Sequence, residues 1–85
     1  MAEVIIYRTT YCPYCDMAKR LFANKGVEFS EVDVTHDPEM RMKLVKLSGG
    51  RRTVPQIFIN GEAVGGYTDV VDLDKSGRLG EMLDA

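Results

Sequence analysis

Two cysteines stand three positions apart in Cys12-Pro13-Tyr14-Cys15, and the chain has no others. A disulfide across so short a spacing closes almost no loop, so it takes little entropy from the unfolded chain and makes a poor staple. The pair asks for a chemical role instead. Two thiols within reach of each other can cycle between dithiol and disulfide. One attacks an outside disulfide as the thiolate, and the other resolves the mixed disulfide that forms. Two plainer readings compete with this one. Unrelated core thiols at this spacing would be a coincidence, and buried structural thiols are inert. A zinc site would need two further ligands. The only other strong candidate is His36, which precedes a helix cap and reads as a surface-loop residue.

The elements around the pair set its environment. Val4-Ile5-Ile6-Tyr7 reads as a buried strand, and Thr9-Thr10-Tyr11 leads from it to Cys12. Pro13 suits the first turn of a helix, where a missing N–H costs nothing. Ala18, Leu21 and Phe22 supply its apolar face, and Gly26 is a natural stop. Cys12 is thus expected at a helix start, where unpaired N–H groups and the helix dipole favour a thiolate. Cys15 would lie one turn further in and more shielded, and Arg8 would add positive potential nearby.

Downstream, Val27 to Val34 is rich in strand formers, but its apolar phase slips between Phe29 and Val32, which suggests a strand near a sheet edge. Asp37-Pro38 reads as a cap followed by the first helical residue. Met40, Leu44 and Leu47 mark one face of that helix, and Ser48-Gly49-Gly50 ends it. Residues 56–59 and 62–65 flank Asn60-Gly61, a strong hairpin signal. Thr68 or Asp69 would cap a third helix running through Val70 and Leu73 to Gly77, with a short helical piece near Leu79 to Leu83. The order β-α-β-α-β-β-α implies an α/β fold, a four-stranded mixed sheet flanked by helices.

The totals bound the rest. At 85 residues the chain fits one small domain spanning 1–85. Its apolar fraction of 45% and charged fraction of 28% are ordinary for a folded globular chain. A net charge of −2 and a pI near 5.3 argue against a nucleic-acid partner. No run has signal-peptide or membrane-span character. A cytoplasmic protein is expected, in a reducing compartment where structural disulfides are uncommon, and a monomer is the default at this size.

Three blocks in order, Cys12-Pro13-Tyr14-Cys15, Thr53-Val54-Pro55-Gln56 and Gly65-Gly66-Tyr67-Thr68-Asp69, give the chain a resemblance to the glutaredoxins over essentially its whole length. The resemblance implies the thioredoxin-like (glutaredoxin) fold and a Val54–Pro55 peptide bond that is cis, turning the Val54 backbone groups outward beside Cys12. The plain alternative is a trans proline opening a strand. It implies Cys12 as nucleophile and Cys15 as resolving thiol, with glutathione as reductant and co-substrate and no permanently bound cofactor or metal. Thr68 and Asp69 would meet the γ-glutamyl group, beside Gly66. Val54, between Thr53 and Pro55, would meet the cysteinyl backbone. Arg8 and Gln56 would meet the glycine carboxylate, with Arg51, Arg52 or Arg41 as possible helpers, and Tyr14 would lie beside the bound thiol. Read alone, Thr68-Asp69 is by default a plain helix cap, and capping is compatible with binding.

The family's implied partners are disulfide-containing or glutathionylated proteins, ribonucleotide reductase among the candidates. A redoxin reduced by thioredoxin reductase shares the dithiol and the fold. A carrier of a [2Fe-2S] cluster, held by Cys12 of two chains and two glutathiones, is a different class, disfavoured by Pro13.

Overall fold

The structure is a computed structural model, and it describes residues 2–84; the two terminal residues of the expected 1–85 domain lie outside the described residues. Eight elements follow one another: β1 (Val4–Arg8), α1 (Pro13–Asn24), β2 (Ser30–Asp33), α2 (Pro38–Leu47), β3 (Gln56–Ile59), β4 (Glu62–Gly65), α3 (Tyr67–Lys75) and α4 (Arg78–Leu83). The strands form one sheet in the order β2-β1-β3-β4. β1 pairs with β2 in parallel and with β3 antiparallel, and β3 pairs antiparallel with β4, so the sheet is mixed as the element order implied. The Cα radius of gyration is 12.1 Å.

Alternation along the central strands sends side chains to two unequal cores. Val4, Ile6, Ile57 and Ile59 pack with Ala18 and Phe22 of α1, Val70 of α3 and Leu79 of α4. The opposite face carries the smaller cluster of Val34, Leu44 and Phe58, with Tyr7 edge-on to Phe58 at a centroid distance of 5.4 Å. The apolar slip along 27–34 marks a change of face. Val27 and Phe29 lean on the larger core, while Val32 and Val34 belong to the smaller one. The strand itself is shorter than the sequence suggested, Ser30–Asp33, and it lies at the sheet edge.

The helix boundaries follow local chemistry. Gly26, at φ +71°, donates to the Ala23 carbonyl at 3.0 Å, and Val27 donates to the Phe22 carbonyl at 3.0 Å. These two bonds close α1 and satisfy its last carbonyls. The Asp37 carboxylate accepts from the Met40 N–H at 3.1 Å, capping α2 with Pro38 as its first residue. Leu47 departs from the expected apolar face of α2. It is 54% exposed, because only Leu44 of that helix is buried against the smaller core. Asn60 and Gly61 both have positive φ, as a two-residue hairpin turn requires. The pairing then skips a residue opposite Ile57 and Phe58, an irregularity that the alternation of residues 62–65 did not announce.

The third helix begins one or two residues before the expected cap. Its N-cap is Gly66, and Asp69 works from inside the first turn, its carboxylate accepting the Gly66 N–H at 2.9 Å. A Cβ at Gly66 would stand 3.4 Å from the Pro55 carbonyl, so the first turn of α3 packs in van der Waals contact with the segment before β3.

Phe22 is fully buried at the centre of the larger core, so Phe22→Ala should cost about 3–5 kcal/mol of unfolding free energy. Denaturant unfolding monitored by circular dichroism measures it. A loss under about 1 kcal/mol would mean that α1 is not anchored through this ring.

Candidate functional site

Cys12 is the N-cap of α1, in an extended conformation with Pro13 as the first helical residue. Its sulfur accepts the Cys15 N–H at 3.1 Å. A helix N-terminus offers unpaired N–H groups and a partial positive charge, so this position stabilises negative charge on sulfur. The two cysteines are joined as a disulfide, with Cα atoms 5.1 Å apart. Cys15 is wholly buried and Cys12 is 6% exposed. Cys12 is therefore less open than the sequence implied. It keeps the outer position of the two, under a strap whose Tyr11 is 89% exposed.

That strap, residues 9–11, is tied from both sides. The Thr10 N–H donates to Thr35 Oγ1 at 2.7 Å, and the Thr10 hydroxyl donates to Asp33 Oδ2 at 2.9 Å. Asp33 also accepts from the N–H and the hydroxyl of Thr35, and these bonds, Thr35's first and then Thr10's, hold its carboxyl below the ordinary carboxylate range. On the other side, Arg8 Nε donates to the Thr9 carbonyl at 3.1 Å and Nη2 to the Thr10 carbonyl at 3.3 Å.

Arg8 is thereby committed elsewhere than expected. Its guanidinium also meets Asp16 at 2.9 Å and Glu31 at 3.3 Å, so its charge is neutralised and turned toward the α1–β2 side. Gln56 is likewise not at a ligand surface. It lies on the face of β3 that carries Phe58, is 4% exposed, and donates through Nε2 to the Arg51 carbonyl at 2.9 Å. Neither residue is among those that line the groove described next.

The other expected residues do come together. A groove of about 230 Å³ is lined by Tyr14, Thr53, Val54, Pro55, Gly66, Thr68 and Asp69, together with Arg51 and Tyr67. The Val54–Pro55 peptide is cis. Tyr14 carries the first turn of α1 to the groove, its ring lying 6.2 Å from that of Tyr67. At the far end, the first turn of α3 supplies Thr68 and Asp69. Asp69 holds its carboxyl below its usual range, first through the Arg51 guanidinium and next through the Gly66 N–H. The groove thus offers a helix N-terminus that suits a carboxylate, beside a fixed negative charge that suits an ammonium.

Arg51 is the residue whose place the sequence left open. Its guanidinium pairs with Asp69, and the only sequence signal was its position two residues before Thr53 in a loop that a strand must follow. A larger depression of about 620 Å³ lies between the β4 edge and α3–α4, lined by Glu62, Leu73 and Met82 among others. It reaches Asp69 from behind but is lined by no cysteine, so size does not identify the thiol site here. His36 sits exposed in a turn.

Comparison with known proteins agrees with this geometry. The family model described as Glutaredoxin matches residues 4–64. Glutaredoxin of Pseudomonas aeruginosa is 44% identical over 85 residues, covering 100% of both chains. Glutaredoxin 3 of Escherichia coli is 45% identical over 83 residues, covering 98% of this chain and 99% of the relative. Among solved structures, a buckwheat glutaredoxin–glutathione complex superposes with a TM-score of 0.89 at 30% identity, over 95% of this chain and 76% of that one. Oxidised glutaredoxin 2 of Chlamydomonas reinhardtii gives 0.84 at 33% identity, over 98% of this chain and 80% of that one. The thioredoxin-like fold, the cysteine pair at a helix start and these similarities together lead to one conclusion: the chain belongs to the glutaredoxin family of thiol–disulfide oxidoreductases.

Proposed function

We propose that this protein is a glutathione-dependent oxidoreductase that reduces protein–glutathione mixed disulfides and protein disulfides. The observation that carries the reading is the groove itself. It runs from the first turn of α1 to the first turn of α3 and ends on the Asp69 carboxylate. A γ-glutamyl end bears a carboxylate and an ammonium on one carbon, the two charges that these neighbouring groups complement. The buckwheat structure, a glutaredoxin complexed with glutathione, supports the same ligand class.

In the proposed cycle the Cys12 thiolate attacks the glutathione sulfur of a mixed disulfide. The protein–glutathione S–S bond breaks, the protein sulfur leaves with the electron pair and takes a proton, and a Cys12–glutathione disulfide forms. A second glutathione thiolate attacks the bound glutathione sulfur. Cys12 leaves as thiolate, and glutathione disulfide departs. With a protein disulfide, Cys12 forms the mixed disulfide first. Cys15, having lost its proton, then attacks the Cys12 sulfur, releasing the reduced protein and closing the bridge that two glutathiones reopen. The groove's task is to present one sulfur to Cys12 in line for displacement. Tyr14, Val54 and Thr68 would hold the ligand's length, while Asp69 would fix its far end. A dithiol kept reduced by glutathione belongs in a reducing compartment, and the proposal places the protein in the cytoplasm.

Cys12→Ser should abolish both activities. Cys15→Ser should retain turnover of a glutathionylated peptide and lose reduction of a protein disulfide. Equal loss of both in Cys15→Ser would contradict this division of labour. Asp69→Asn keeps an acceptor for Gly66 and removes the charge, so it should raise the KM for a glutathione mixed disulfide about tenfold with little change in kcat. An unchanged KM would place the γ-glutamyl end elsewhere.

A further inference from the structure

Asp69 already has a cation. The Arg51 guanidinium reaches it through Nη1 to Oδ2 and through Nη2 to Oδ1, the second at 3.4 Å, while Oδ2 also accepts the Gly66 N–H. Both carboxylate oxygens are engaged before any ligand arrives. The pairing is no accident of a loose side chain, because the backbone of Arg51 is fixed on both sides. Its N–H donates to Ser48 Oγ at 3.1 Å, and its carbonyl accepts from the buried Gln56 amide at 2.9 Å. Room for the pair is made at Gly65, where φ is +109°. A Cβ there would lie 2.5 Å from Asp69 Oδ2 and 2.9 Å from Arg51 Nη1, so the ion pair fills the space a side chain would take.

We propose that Arg51 is an internal competitor for Asp69 and thereby sets how strongly the groove selects a ligand ammonium. This rests on the reading above, in which Asp69 receives the γ-glutamyl ammonium. A ligand ammonium cannot join the carboxylate while the guanidinium spans both oxygens, since two cations at contact repel. Binding exchanges one ion pair for another, and the ligand gains only the difference. Arg51 is about half exposed in this pair, and pairs of that kind shift an equilibrium by up to about fivefold. Arg51 acts through Asp69, so its mark is on affinity for one functional group and not on the chemical step.

The test uses the reduced protein and two substrates that share one peptide thiol. One carries glutathione in the mixed disulfide, and the other carries the des-amino analogue with a glutaryl group in place of γ-glutamyl. Stopped-flow release of the peptide thiol gives a half-saturating concentration and a limiting rate for each. The wild type should prefer the amino-bearing substrate, and Arg51→Gln should raise that preference about threefold by lowering its half-saturating concentration alone. Arg51→Lys should restore the wild-type ratio. Arg52→Gln, which removes a neighbouring charge without touching the pair, should leave the ratio unchanged. An Arg51→Gln ratio equal to or below the wild type's would overturn the competition while leaving the γ-glutamyl site intact. A threefold rise in Arg52→Gln as well would reduce it to general charge and overturn it too. A wild type and an Arg51→Gln variant that both fail to distinguish the two substrates would remove the Asp69 site and the inference with it.

Discussion

The first turn of an α-helix leaves N–H groups that nothing inside the helix can satisfy, and in this protein two such turns border one groove. α1 begins at a sulfur, and α3 begins at a glycine watched over by the Asp69 carboxylate. The first start favours negative charge on the Cys12 sulfur, the nucleophile in the proposed cycle. The second leaves N–H groups for an anion beside a fixed carboxylate for a cation. Between them runs the Thr53-Val54-Pro55 segment, exposed at Thr53, half-buried at Val54 and buried at Pro55. The proposed holding of a thiol-bearing ligand beside Cys12 depends on keeping those two starts in register.

Most of the fold serves that spacing. β1 and β3 are neighbours at the sheet centre, so the strap leaving β1 and the loop entering β3 emerge close together at one end. The larger core then locks α1 and α3 on the same face through Phe22 and Val70. Polar contacts finish the job where apolar packing stops. Asp33, Thr35 and Arg8 fasten the strap before Cys12, and Ser48 and Gln56 fasten the loop before Thr53. Arg8 and Gln56 thus contribute to the site from behind it.

Much of this was legible in the residues, for reasons that can be named. Cys12-Pro13-Tyr14-Cys15 spoke through spacing, because a bridge over so short a loop makes a poor staple and a zinc site would need two further ligands. Asn60-Gly61 and Gly26 announced a turn and a helix end, since those backbone conformations admit few other residues. What stayed hidden depended on partners distant in sequence. Arg8 looked like a free cation until the fold brought Asp16 and Glu31 to it. The place of Gln56 in Thr53-Val54-Pro55-Gln56 suggested a ligand contact, yet the alternation of β3 turns it to the side of Phe58 and away from the groove. Asp69 read as a cap because the sequence cannot say that Gly66 already occupies that position, nor that Arg51 lies across its carboxylate.

The most direct test of the account is which reductant keeps the dithiol turning over. A glutathionylated peptide is offered as substrate with the purified protein, and NADPH consumption is followed in two parallel assays. One contains glutathione and glutathione reductase, and the other contains thioredoxin reductase without glutathione. The groove described here predicts sustained, saturable turnover in the first assay and none above background in the second. Turnover only with thioredoxin reductase would contradict it, leaving the cysteine pair as a redox centre but removing glutathione from its cycle.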